Sequence, residues 1–201
     1  MKFDFDKVVD RRNTHSAKWD AMGIATGATA DDAIAMWVAD MDFEAPPEVK
    51  HVLRQEVERL TLGYYTNDKT WREAMSEWMD RHHGYKPDPD WITPTSGIGS
   101  ALGLILQAFS EEGDAVIVFS PAYHAFYKYI KANNRQLHTQ TMQQVDGQYQ
   151  MDLDALEKTM PKNAKVVFFC SPHNPGGRVW SRQEILDLVA FCDKHDLILV
   201  S

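Results

Sequence analysis

Two continuous apolar runs, Ala115 to Phe119 and Val166-Val167-Phe168-Phe169-Cys170, constrain the fold more than anything else in the chain. Each is too short for a buried helix, and each opens into a proline-bearing polar turn, as a central parallel strand does when both of its faces are covered. Around them the pattern alternates. Helical spacing is expected at 98–110, 123–132, 152–159 and 182–195, and strands at 115–119, 136–141, 165–170 and 197–200. Strands alternating with helices imply an α/β fold, a mostly parallel sheet with helices on both faces. Ser181 and Glu184 form a capping box for the last helix.

The residues before 91 are of another kind. Residues 1–45 lack a clear period and include the small-residue stretch Gly23 to Ala30, so they are expected to form an amino-terminal arm, with 46–201 as the first part of a large domain. Pro46-Pro47 opens a helix whose apolar residues Val49, Val52, Leu53, Val57 and Leu60 fall at helical spacing, with Gly63 beyond its end. Thr70 and Glu73 read as a capping box opening a second helix, and its stripe of Trp71, Met75, Trp78 and Met79 reads as core.

Composition excludes more than it assigns. A net charge of -8 argues against a nucleic acid or an anionic membrane as partner. No run approaches spanning length, and the amino terminus has no apolar segment of a signal peptide, so a cytoplasmic location is expected. Cys170 and Cys192 lack metal-ligand spacing and read as reduced, buried thiols; no metal site is expected. The chain stops in the apolar segment Leu197-Ile198-Leu199-Val200-Ser201, which reads as the truncated end of an amino-terminal piece.

Three turns are placed to bind a ligand. In open α/β sheets ligands sit beyond the carboxyl ends of the strands. Ser171-Pro172-His173-Asn174-Pro175-Gly176-Gly177-Arg178 follows one apolar run, and Pro121-Ala122-Tyr123-His124 follows the other. Asn174 can hydrogen-bond a ligand there, and the Tyr123 ring can stack on a flat one. Thr95-Ser96-Gly97-Ile98-Gly99 leads into a helix whose first N–H groups make an anion site suited to phosphate. Each also has a plainer reading: a rigid surface turn, a packing ring, a capped helix. The spacing of Gly97, Gly99 and Gly103 also resembles a dinucleotide fingerprint, which needs a buried strand directly before Gly97.

The combination resembles the amino-terminal half of a fold type I pyridoxal-phosphate enzyme of the aminotransferase class I/II superfamily, nearest the MalY/PatB cystathionine β-lyase (carbon-sulfur lyase) group. The resemblance rests on Asp10-Arg11-Arg12-Asn13-Thr14 with Lys18-Trp19-Asp20, on Trp37-Val38-Ala39-Asp40-Met41-Asp42-Phe43, on Gly63-Tyr64, on Tyr123-His124, and on Ser171 to Trp180. It implies that Gly97 and Ile98 give backbone N–H groups to the phosphate of pyridoxal 5'-phosphate, that Tyr123 stacks on its ring, and that Asn174 binds its phenolic oxygen. Tyr64 would reach the site of a neighbouring subunit in a homodimer, and Ala39 and Asp40 would line the substrate entrance. The activity implied is cleavage of a cysteine thioether to thiol, pyruvate and ammonia. An aminotransferase acting on another small amino acid, or a non-catalytic fragment or regulatory binding protein, are the alternatives. The group's Schiff-base lysine, pyridinium-binding aspartate and carboxylate-binding arginine are expected after Ser201, so no residue of the chain is nominated as catalytic. Ile98 and Gly99 stand where the group often holds two valines.

Overall fold

Four parallel strands form the sheet around which the larger part of the chain is built, in the order β2-β1-β5-β6. The computed structural model describes residues 3–28, 32–59, 61, 63, 64, 66 and 69–201. The chain divides into two compact units, Met1–Asp68 and Lys69–Ser201. The helix after Pro46 therefore groups with the arm, whereas the sequence reading begins a new domain at residue 46.

In the first unit, short helices α1 (Ala17–Asp20) and α2 (Met22–Thr26) precede α3 (Pro47–Glu58). Proline occupies the first turn of α3, where its missing N–H costs nothing. Leu60, the last member of the apolar stripe expected on α3, lies outside the described residues. The other four are exposed.

The second unit opens with α4 (Lys69–His83) and a single 3-10 turn, Pro89–Trp91. Two expectations for α4 are corrected. The helix starts at Lys69, so Thr70 lies within it and cannot cap it; Glu73 instead pairs with Lys69 at 3.6 Å. Met75 and Trp78 are exposed rather than core. The side of α4 that packs on the 3-10 turn carries Ser76, whose buried hydroxyl donates to the Pro87 carbonyl at 2.5 Å. Trp78 stacks on His82, one turn away, at 3.9 Å.

The alternating pattern then runs as expected except for one added hairpin: α5 (Ile98–Phe109), β1 (Ala115–Ser120), α6 (His124–Ala132), β2 (Gln136–Thr141), the unexpected hairpin of β3 (Gln143–Val145) and β4 (Gln148–Gln150), α7 (Leu153–Thr159), β5 (Ala164–Phe168), α8 (Arg182–Lys194) and β6 (Ile198–Val200). Successive side chains of β1 face opposite sides of the sheet. Val116 and Val118 pack with Leu102, Leu106 and Ile130 of α5 and α6. Ala115, Ile117 and Phe119 pack with Leu156, Leu188 and Phe191 of α7 and α8. Ser181 and Glu184 make the expected reciprocal capping box of α8. Among the described residues no helix is long and apolar enough to cross a membrane.

The strand order fixes where a ligand can enter. The chain passes from β1 outward to β2, then returns to the other side of β1 and continues from β5 outward to β6. Crossovers that leave in opposite directions splay the loops apart at the carboxyl ends of β1 and β5, and this switch point is the crevice that open α/β sheets use for ligands.

Candidate active site

Two of the three predicted turns flank that crevice, and the third lies at the same edge of the sheet. Tyr123 follows β1 and Asn174 follows β5, the two strands that flank it. The amino terminus of α5 is at the same edge. Its carboxyl end is tied to the opposite edge, because Arg135, next to the start of β2, donates to the carbonyls of Leu106 at 3.1 Å and Ser110 at 2.6 Å. A helix of 12 residues is about 18 Å long and matches the length of a six-residue strand.

Gly97 is the N-cap of α5, with φ +110°, a conformation that favours glycine. Its carbonyl accepts from Ser100 and Ala101 at 3.1 and 3.2 Å. No side chain among the described residues caps the helix, so its leading N–H groups, including that of Ile98, are offered outward with the positive end of the dipole. Residues 92–95, before the turn, are irregular. The strand required by a dinucleotide fingerprint is absent among these described residues. Gly99 has a separate reason to be glycine: a Cβ there would lie 2.1 Å from the Tyr129 hydroxyl.

Tyr123 is the N-cap of α6 and its side chain is 40% exposed. Its ring meets Phe126 edge-on at 5.8 Å, and Phe126 meets Phe168, the last residue of β5, at 5.3 Å. The exposed ring is thus backed by aromatic packing that reaches the neighbouring strand.

The turn carrying Asn174 is held from inside. His173 is buried; its N–H donates to the Arg178 carbonyl at 2.7 Å, and its carbonyl accepts from Gly177 at 2.8 Å. Its Nδ1 accepts from the Gly176 N–H at 3.1 Å. Gly177 has φ +67°, and a Cβ on Gly176 would stand 2.5 Å from that Nδ1. Behind the turn, Arg178 lies 4.1 Å over the Trp180 ring and donates to Glu184 at 2.6 Å and to the Tyr149 carbonyl. The Trp180 indole N–H donates to the Cys170 carbonyl at 2.9 Å. These bonds leave Asn174 exposed on the outer side of a fixed loop.

Cys170 lies just past β5, partly exposed, while Cys192 is buried in α8. Burial, with a smaller contribution from Asp193, raises the Cys192 thiol to about 11.

In the first unit, Ala39 and Asp40 lie in an irregular segment, joined to the segment before α1 by a charged cluster centred on Asp42. Lys18 Nζ donates to Asp42 Oδ2 at 2.8 Å and to the Asp40 carbonyl at 2.9 Å. The Trp19 indole N–H and Arg11 each donate to Asp42 Oδ1 at 2.9 Å. The bond from Lys18, followed by that from Trp19, holds the Asp42 carboxyl at about 2. The Asp40 carboxylate accepts from Arg11 at 2.6 Å, which keeps it ionised below its ordinary range. Asp20 accepts three backbone N–H bonds, from Asn13, Thr14 and Ser16. The two arm motifs of the sequence are therefore one interlocked structure. Tyr64 is fully exposed.

A profile of the family "Aminotransferase class I and II" matches residues 31–201. The chain belongs to the aminotransferase class I and II family. This aminotransferase-family chain is 39% identical over 199 residues to cystathionine beta-lyase PatB of Bacillus subtilis, covering 98% of the chain and 51% of the relative. It is 30% identical to protein MalY of Escherichia coli, covering 99% and 51%. Among solved structures, cystalysin from Treponema denticola, which contains a pyridoxal 5'-phosphate cofactor, superposes with a TM-score of 0.89 at 34% identity, covering 99% and 51%. The PLP-bound putative aminotransferase from Clostridium difficile 630 gives 0.89 at 33%, covering 98% and 51%. The aminotransferase-family chain spans about half the length of these relatives.

The donor set suits a flat, anionic, hydrogen-bonding ligand: N–H groups at Gly97 and Ile98, a braced ring at Tyr123, and an exposed amide at Asn174. Sequence reasoning missed the residues that brace the Asn174 turn, His173 and Arg178. A histidine between two prolines was the available signal.

Proposed function

We propose that the complete protein is a pyridoxal-phosphate-dependent carbon-sulfur β-lyase that cleaves cystathionine or a related cysteine thioether. What supports the reading is that Tyr123 and Asn174 follow the two strands flanking the switch point, with the amino terminus of α5 at the same edge of the sheet, in a chain similar to PatB through the arm as well as the sheet.

Each residue contributes something distinct. Gly97 and Ile98 bind the phosphate through backbone N–H groups, aided by the helix dipole. Tyr123 presses its ring on the pyridine face. Asn174 donates its amide N–H to the phenolic oxygen and fixes the ring's rotation. Ala39 and Asp40 line the substrate entrance, and Tyr64 reaches the phosphate in the second copy of a homodimer. When bound, pyridoxal phosphate supplies the electron sink for bond cleavage at the substrate α-carbon. The lysine that moves the α proton, together with the aspartate and arginine expected of the group, is assigned to sequence after Ser201.

The test is a full-length preparation given L-cystathionine without any keto acid. Homocysteine, pyruvate and ammonia in equal amounts, with one water consumed, are expected. Strict dependence on a keto-acid acceptor would replace the lyase with an aminotransferase.

A further inference from the structure

We infer that His173 is a positioning residue for Asn174: its unprotonated Nδ1, by accepting the Gly176 N–H, locks the turn into the shape that presents the Asn174 amide to the crevice. This rests on the cofactor reading above for its consequence, though not for its geometry. Three observations carry it. The imidazole is buried, tilted against Tyr149 at 6.3 Å and edge-on to Trp180 at 5.7 Å, so it cannot swing away. The Gly176 N–H points to Nδ1 at 3.1 Å, across the Asn174-Pro175 segment that it closes. And residue 176 must be glycine for the ring to come that near, since a Cβ would stand 2.5 Å from Nδ1 and 2.8 Å from the Tyr149 ring.

The bond depends on charge state. A neutral histidine with its proton on Nε2 leaves Nδ1 as an acceptor; an imidazolium has two donors and would set N–H against N–H. The titratable and charged groups packed around the ring are Arg178, with Glu184 behind it, the Tyr149 phenol and the Cys170 thiol. Burial, followed by the Arg178 charge, shifts His173 downward, so the neutral acceptor form prevails at neutral pH. An N–H left without its acceptor inside a packed turn weakens whatever depends on that turn, by about tenfold.

The decisive comparison is His173→Leu, which fills the space without an acceptor, against His173→Asn, whose Oδ1 falls where Nδ1 stands. Full-length protein is titrated with pyridoxal phosphate by absorbance, and exchange of the Gly176 amide is followed without cofactor. H173L is expected to lose about tenfold in cofactor affinity and to exchange Gly176 about tenfold faster. H173N should stay within about twofold of the parent on both, and should lack the acid-side fall in affinity expected of the parent as pH drops below the ordinary histidine range. Equal behaviour of H173L and the parent overturns the inference, as does an H173N as impaired as H173L, which would make the ring's bulk the only asset. If H173L does not fold, H173N with its missing acid limb decides. A parent that binds no pyridoxal phosphate would defeat the cofactor reading, and the amide exchange would still judge the lock.

Discussion

Arg11 donates to Asp42 at 2.9 Å, bridging the segment before α1 and the segment before α3. Asp42 in turn accepts from Lys18 and Trp19, so one carboxylate gathers three donors from a stretch with little regular structure. Asp42→Ala should remove the bond that each of the three makes to it, leaving Arg11 and Lys18 their bonds to Asp40. Limited trypsin digestion is expected to cut at Arg11, Arg12 and Lys18 in this variant well before it cuts the parent, with the far-ultraviolet circular dichroism of the sheet unit unchanged.

Acid should loosen the same region. Asp42 is held at about 2 by Lys18, Trp19 and Arg11, and Glu44 at about 2 by Lys50 and Lys7. Their folded values lie below the ordinary carboxylate range, so the folded state binds fewer protons than the unfolded one in that window. Their stabilisation is complete above about pH 5 and is lost as pH falls towards 2. Emission of Trp19 and Trp37, whose indole N–H groups bond Asp42 and the Lys18 carbonyl, should be flat from pH 7 to 5 and shift to the red below 4. Molar salt should weaken the arm at pH 7, because these charges are partly exposed.

Gly99 and Tyr129 form a pair in which one side chain occupies the space the other lacks. Gly99→Val should destabilise by about 1–3 kcal/mol through overpacking. Tyr129→Ala alone opens a void, and the double variant G99V/Y129A should recover part of the loss. A thermal-unfolding double-mutant cycle checks this, and strict additivity of the two changes would speak against the contact.

Cys192 should be chemically silent. Its thiol is buried and raised to about 11, so alkylation at pH 8 is expected to leave it unmodified in native protein and complete in denaturant. Peptide mass spectrometry of iodoacetamide-treated samples reads this directly.

The sheet was legible because its signals are local and redundant. The apolar runs of β1 and β5 and the Ser181-Glu184 box of α8 each state an element without help from distant residues. The β3–β4 hairpin was missed although Asp146-Gly147 supplies two positive-φ residues for its turn; its flanks are glutamine-rich, so the apolar alternation that flags a strand is lacking. The α4 stripe was misjudged because period reveals which residues share a face, not whether anything covers it. Tyr123 and Asn174 could be placed at strand ends from order alone. The Asp42 cluster joins residues more than twenty positions apart through irregular backbone, and the His173 acceptor depends on the direction of one ring nitrogen. No sequence period encodes either.

Val116 of β1 pairs with Leu137 on one side and with Val166 on the other. The first pairing closes a short loop through α6 and the second a much longer one, which costs more chain entropy and waits for more of the chain to be made. On the ribosome, β1 and β2 can join while β5 is still unmade. A small molecule gripped by the loops after β1 and β5 would then act as a clasp on the later seam, so the half-life of newly made protein would rise with the supply of that molecule in the growth medium.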